Sequence, residues 1–332
     1  MQVAASFLRK AWLSRGLLAC LLWPISRLAH LWLLLSDLRD LLGLRETIRL
    51  PIPVWVVGNV VVGGTGKTPI VIHIAKRLQE LGFKVGVIAR AVGSPNQGIQ
   101  EVHSHSDANW VGDEALLIKR RTQSRVFVGQ ARAMAAQTLL TVYPDTHIII
   151  SDDGMQHRAL QHDLALCVFD DRGLGNGWLL PAGPLRENWP RSTRGAAQWL
   201  VHTGQHAFET SLPAERRLCT YAVNGWGQTR PLSDWHGQAV QALAAIAQPE
   251  VFFAGLRSAG LHLAATHALP DHAPLGDWKH GRDEDLFCTE KDAVKLWPHQ
   301  PQAWAVPLEC HLPETLWVQL LPFAQALSSP HG

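Results

Sequence analysis

One segment limits the possible folds more than any other. Residues Pro53 to Gly82 read PVWVVGNVVVGGTGKTPIVIHIAKRLQELG, an apolar run, a glycine-rich turn and an apolar-periodic stretch. The pattern predicts a strand at Val54–Val57, a loop at Gly58–Gly66, and a helix with Ile70, Ile74, Ala75 and Leu78 on one face that stops at Gly82. Gly63, Gly64 and Gly66, together with Thr65, free backbone N–H groups to cradle phosphate oxygens at a helix N-terminus. Lys67 then reaches the β and γ phosphates and the Thr68 hydroxyl holds magnesium. The strict motif asks for glycine at Val61, so the pattern fails at one place while GGTGKT keeps its mechanism.

The rest of the chain continues the alternation. Apolar runs at Lys84–Ala89, Val126–Val128, Thr146–Ser151 and Leu164–Phe169 are separated by helical stretches at Glu114–Arg121 and Ala131–Thr141. Such alternation predicts an α/β fold: a P-loop-type, mostly parallel sheet flanked by helices, with ligands at the carboxyl ends of strands. HIIISDDG (His147–Gly154) places Asp152 and Asp153 at one such end, where one carboxylate binds magnesium and the other orients a lysine or the attacking hydroxyl. Further strand-like runs lie at Trp199–His202, Val240–Ala244, Leu286–Cys288 and Trp304–Val306, and Thr289 with Asp292 fits a helix cap. The expected organisation is an N-terminal helical segment (1–50), a nucleotide-binding core (51–172) and a smaller C-terminal α/β portion (173–332) that completes the site.

Charge marks the N-terminus. Seven basic residues (Arg9, Lys10, Arg15, Arg27, Arg39, Arg45 and Arg49) face three acidic ones in residues 1–50, a net +4 in a chain whose total is only +2. A total that small gives no reason to expect nucleic-acid binding. Leu17–Leu35 is strongly apolar, but Arg27 and Pro24 interrupt it, which argues against a clean span and predicts a kink. Leu17, Leu21, Ile25, Leu28, Trp32 and Leu35 share one arc, so the segment reads as an amphipathic helix that lies on an anionic bilayer or packs on its own domain. Five scattered cysteines with no C-x-x-C pair indicate neither disulfides nor zinc, and fit a reducing cytosol.

Six motifs in order now carry a resemblance: VGNVVVGGTGKTP (Val57–Pro69), VGDE (Val111–Glu114), SDDGMQH (Ser151–His157), LLPAGPLRE (Leu179–Glu187), PDH (Pro270–His272) and TEKDAVK (Thr289–Lys295). Over essentially its whole length the sequence resembles the tetraacyldisaccharide 4′-kinases of lipid A biosynthesis. The resemblance implies transfer of the ATP γ-phosphoryl group, with Mg2+, to the 4′-hydroxyl of a tetraacylated glucosamine disaccharide 1-phosphate at the cytoplasmic face of the bacterial inner membrane, with no obligate protein partner. It makes Asp113 the catalytic base and His272 its partner, which raises and orients that base, and leaves Asp152, Asp153 and Glu187 to supply carboxylates for magnesium and for ordering the site. Read from the residues alone, Asp113 is first of all a helix N-cap or first-turn acid.

Five positions in four motifs depart from the family pattern. Its Arg-Gly-Tyr-Gly loop is Arg90-Ala91-Val92-Gly93, its Asp-His-His is Asp271-His272-Ala273, its Gly-Asp-Glu-Pro ends in Ala115, and the Phe of DDGFQH is Met155. The alternative from another class is a membrane-associated P-loop ATPase switch of the positioning type. Those carry a lysine just before the glycine pair, where this chain has Val62.

Overall fold

The computed structural model describes residues 12–91, 98–190, 195–276, 278 and 284–325. Arg9, Lys10, Val92 and Gly93 lie outside the described residues. The chain begins with helix α1 (Leu17–Leu41) and then builds two sheets joined by a short ribbon.

The large sheet contains β1 (Val54–Gly58), β2 (Val85–Ala89), β3 (Gln100–Val102), β4 (Arg125–Val128), β5 (Ile148–Asp152), β6 (Leu164–Phe169), β7 (Ala197–His202) and β8 (Leu212–Pro213). Its order is β3-β4-β2-β5-β1-β6-β7-β8, with all neighbours parallel except the edge pair β3–β4. Strands β1, β2, β5 and β6 are buried along their whole length. Helices cover both faces of such strands, which is why they read as unbroken apolar runs. One face is covered by α2 (Lys67–Glu80), α3 (Ala108–Val111), α4 (Asp113–Thr122) and α8 (Glu314–Gln325), and the other by α5 (Arg132–Val142). This sheet continues past residue 172 through β7 and β8.

Helix α2 shows why the sequence folds this way locally. Gly66 at its start has φ 78°, the left-handed conformation that lets the chain turn from loop to helix. Ile70, Val71, Ile74, Ala75 and Leu78 then fall on the buried face. Gly82, at φ 87°, ends it with its N–H on the Gln79 carbonyl.

The small sheet has the order β11-β10-β15-β14-β12-β13, from β10 (Tyr221–Asn224), β11 (Thr229–Pro231), β12 (Ala239–Ala244), β13 (His262–Ala268), β14 (Asp285–Thr289) and β15 (Trp304–Val306). Four of these strands, β13-β12-β14-β15, are mutually parallel. Helix α6 (Pro249–Ser258) packs on one face and α7 (Glu290–Leu296) on the other. The expected cap is present: the Thr289 Oγ1 accepts from the Asp292 N–H at 3.2 Å. An antiparallel ribbon of β9 (Glu215–Leu218) and β16 (Leu308–His311) carries the chain between the sheets in both directions.

Helix α1 runs through Pro24 without ending there, because a missing donor removes one rung of the ladder and leaves its neighbours. Leu17 (88% exposed), Leu21, Ile25, Leu28, Trp32 (68% exposed) and Leu35 all face outward. The side turned to the body is small and polar: Ala19, Ser26 and Ser36 are its buried residues. The helix is long and apolar enough to cross a membrane by length and composition.

Candidate active site

Three segments meet at the carboxyl ends of β1 and β5, the switch point of the large sheet. The phosphate loop leaves β1, Asp152 and Asp153 leave β5, and the strap from Asp170 to Glu187 lies across them. The strap pairs Val61 with Leu185, accepts the Val62 N–H on the Pro184 carbonyl at 2.9 Å, and donates the Arg186 N–H to the Val60 carbonyl at 2.8 Å. Val61, which fills the motif's glycine position, is buried with Leu179 and Leu185. Met155, in place of the family's Phe, is buried over Gly58, whose missing side chain leaves room for it.

Lys67 points back across the loop. Its Nζ lies 3.3 Å from Asn59 Oδ1 and 3.4 Å from Asp153 Oδ1. Arg186 Nη1 donates to both Asp153 oxygens, at 3.2 and 3.0 Å. Burial pushes the Asp153 carboxyl up, but the charges of Lys67 and Arg186 outweigh it and hold the group below its ordinary range. Asp153 has φ 50°, a left-handed backbone held by its N–H bond to the Val57 carbonyl at 2.9 Å.

Asp152 is different. Burial, reinforced by the Glu114 charge, pushes its carboxyl up to about 7 against the pull of Lys67. Its Oδ1 is buried without a hydrogen-bond partner, the kind of atom a cation would satisfy. Glu187 accepts from Gln156 Nε2 at 2.7 Å, and the same nitrogen donates to the Asn59 carbonyl at 3.0 Å. No group of three or more His, Cys, Asp or Glu side chains arranged to hold a metal ion is present among the described residues. Magnesium in phosphoryl-transfer sites is held by one or two carboxylates while water and phosphate oxygens complete its shell, and the unpartnered Asp152 oxygen is a carboxylate oxygen of that kind.

The second half of the site comes from across the gap between the sheets. Asp113 opens α4 from the large sheet's side and is 3% exposed. Its Oδ1 accepts the Glu114 N–H at 2.9 Å, and the residue stands in the helix's first turn behind an N-cap at Gly112. Its Oδ2 lies 3.0 Å from His272 Nδ1 and 2.8 Å from Lys295 Nζ. Lys291 Nζ stands 3.2 Å from His272 Nε2, 3.0 Å from Asp271 and 3.2 Å from Glu114. An ammonium has only donors, so Nε2 accepts and the His272 Nδ1–H donates to Asp113. Burial would raise the Asp113 carboxyl, but the His272 hydrogen bond and the Lys291 and Lys295 charges hold it well below the carboxylate range, so His272 orients the expected base and lowers it instead of raising it. The same hydrogen bond raises the His272 imidazole.

His272 has φ 62°, so Asp153 and His272 are two of the four non-glycine residues with left-handed φ among the described residues. Strained backbone of this kind gathers at functional sites. Ala273, at the position of the family's second His, is packed in the small core and offers its carbonyl to Lys295 at 3.5 Å.

The fold thus brings Lys67, Asp153 and Arg186 into one contact network, and Asp113 and His272 into another with two lysines. Sequence reasoning passed over Asn59, Gln156, Lys291 and Lys295. The lysine pair had a signal: four-residue spacing on α7 puts both on one face.

A family model for tetraacyldisaccharide-1-P 4′-kinase matches residues 18–325. A tetraacyldisaccharide 4′-kinase of Acidovorax sp. (strain JS42) is 46% identical over 329 residues, 98% of this chain and 96% of the relative. One of Delftia acidovorans (strain DSM 14801 / SPH-1) is 44% identical over 335 residues, 99% of this chain and 98% of the relative. Among solved structures, the "apo" form of LpxK from Aquifex aeolicus in complex with ATP superposes with a TM-score of 0.81 at 26% identity, covering 92% of this chain and 99% of that one.

Proposed function

The chain belongs to the tetraacyldisaccharide-1-P 4′-kinase family, and from that premise we propose how its own residues carry the reaction. The chain is an ATP-dependent lipid A 4′-kinase. The 4′-hydroxyl oxygen of a tetraacylated disaccharide 1-phosphate forms a bond to the γ-phosphorus as the bond from that phosphorus to the β-γ bridging oxygen breaks. ADP leaves with the electron pair.

The contact of Asp113 with His272, from opposite sides of the gap between the sheets, is the observation that carries this assignment. A sugar hydroxyl is a poor nucleophile until its proton is accepted, and Asp113 is the ionised carboxylate that accepts it. His272 fixes that carboxylate through Nδ1–H. Lys67 neutralises charge developing on the transferring group, and Asp153, gripped by Arg186, sets where the Lys67 ammonium sits. Gly63, Gly64, Thr65 and Gly66 cradle the phosphates with Lys67 and Thr68. Thr68, Asp152 and Glu187 would hold magnesium, and the ion would supply charge neutralisation to the β and γ phosphates.

The 1–50 segment is the membrane-associating element. Its outward leucines and tryptophans suit the interface of the inner membrane's cytoplasmic face, where an acylated substrate resides. The 51–172 core binds nucleotide and the 173–332 portion completes the site. Incubation with γ-labelled ATP, magnesium, detergent and a tetraacyl-disaccharide 1-phosphate, resolved by thin-layer chromatography, tests the reading. Labelled lipid is expected, and slow ATP hydrolysis without labelled lipid would overturn it.

A further inference from the structure

The outward side of the phosphate loop carries contacts that the reaction above does not use. When N–H groups of such a loop turn toward phosphate, its carbonyls turn away, and each then needs a donor of its own. Here four successive carbonyls have one. Arg172 Nη1 donates to Val62 at 3.3 Å and Asn59 Nδ2 to Gly63 at 3.4 Å. Arg172 Nη2 donates to Gly64 at 3.3 Å, and Thr203 Oγ1 to Thr65 at 2.9 Å.

Arg172 is the donor that serves two of them, and it is itself held. Asp170, nearly buried at the end of β6, accepts Nε at 3.0 and 2.9 Å and Nη2 at 2.7 Å. Gly63 is what admits the guanidinium: a Cβ there would lie 2.9 Å from Nη1, at a φ of 106°. A planar fork can span two carbonyls and a carboxylate at once, which a lysine cannot. On the other flank Arg216 donates to the Thr203 carbonyl at 2.9 Å and so backs the fourth donor.

We propose that Arg172, anchored by Asp170, is a positioning residue that presets the phosphate loop for the nucleotide's polyphosphate by holding the loop's carbonyls. The proposal rests on the ATP-dependent reading above. Its signature is selectivity for the β and γ phosphates, because the loop serves those groups and not the nucleoside.

Equilibrium binding of ATP, ADP and AMP to the full chain in detergent, without lipid, tests it. For Arg172→Ala the dissociation constants for ATP and ADP are expected to rise about tenfold to a hundredfold, the range for losing charge-assisted hydrogen bonds, with AMP affinity unchanged. Arg172→Lys should recover part of the loss, and Asp170→Asn should shift the same way by less. Thermal melts of the unliganded variants show whether they fold. An equal loss for ATP and AMP would overturn the proposal, as would a fall in kcat with ATP affinity intact. If the natural chain binds ATP and the variants bind it as well, this inference fails alone. If the natural chain does not bind ATP, the kinase reading fails with it.

Discussion

Lys67 reaches the site within a single strand–loop–helix unit, whereas Asp113 meets His272 across 159 residues of sequence and between two sheets. The phosphate side has its geometry fixed by its own neighbourhood: β1 and β5 in register, the strap over Val61, and donors on the loop carbonyls. The base side exists only while α4 and α7 are docked. Contacts at Asp113–Lys295, Glu114–Lys291 and Arg121–Glu290 run along that docking line. A site split this way can lose its base and keep its nucleotide.

The largest expected effects test that separation directly. Asp113→Ala and Lys67→Ala should each lower kcat by at least ~10², the usual scale of a general base or of an electrostatic contact to a transferring group. They should differ in binding: Asp113→Ala keeps its affinity for ATP, and Lys67→Ala loses it. Single-turnover transfer beside ATP titration would show this. Near-normal turnover in either variant removes that residue's assignment, and equal loss of ATP affinity in both would break the division into two halves.

Smaller effects should follow from the docking line itself. Lys295→Met removes a cation 2.8 Å from the base while leaving the phosphate loop untouched. We expect kcat to fall about tenfold with the KM for ATP unchanged, from the loss of one charge-assisted contact. Glu290→Gln breaks a pair with Arg121 that is only 14 to 16% exposed. Cutting one partner of a largely buried pair costs about 3 kcal/mol, so a lowered melting point and a lowered kcat should appear together, again with ATP binding intact. A rise in the ATP KM for either variant would show that the two halves communicate.

Acid should act on the large domain before it touches the base. Burial lowers His73 and His157 from 6.5 to about 4, and His73 Nε2 already accepts the Leu312 N–H at 3.3 Å. The unfolded chain protonates these rings near 6.5 and the folded chain near 4, so between those values the unfolded state binds more protons. The contribution of these two rings is therefore full above about pH 6.5 and falls as pH drops toward 4, while Asp152, raised to about 7, takes up its proton in the folded state over the same range and offsets part of the fall. Urea midpoints at pH 7.5 and pH 5 measure the loss, and His73→Gln should shrink it.

Much of the large sheet is legible in the sequence because its strands are buried on both faces and its helices carry periodic apolar stripes. Leu164–Phe169 has the bounds the apolar run predicts, and α2 follows from Ile70, Ile74, Ala75 and Leu78. The short strand Trp304–Val306, buried throughout, also has the bounds its run predicts, but the other short elements are not legible. β9, β10, β11 and β16 are two-faced ribbons of three or four residues, and β13 is an edge strand with alternating exposure. Such segments take their conformation from tertiary pairing more than from propensity. The same physics divides the site. GGTGKT and the two aspartates after β5 announce themselves locally, while Lys291, Lys295 and the anchoring Asp170–Arg172 pair acquire meaning only from what the fold sets beside them.

Helix α1 offers the finest form of the comparison, since its two faces should fail differently. Ser26, on the packed face, donates to the Leu179 carbonyl at 2.8 Å and accepts the Ala182 N–H at 2.9 Å, which ties the helix to the strap over the phosphate loop. Leu28 and Trp32, on the outer face, are 67% and 68% exposed. Ser26→Ala leaves a buried carbonyl and a buried N–H without partners, a cost of about 1–3 kcal/mol, and should appear as a lower melting point. Leu28→Glu with Trp32→Glu should leave the melting point and ATP affinity alone, because those side chains are mostly exposed, yet reduce cosedimentation with anionic vesicles. If the outer-face variant lowers stability and vesicle binding persists, the exposed stripe serves the fold, and the membrane contact must be sought elsewhere on the molecule.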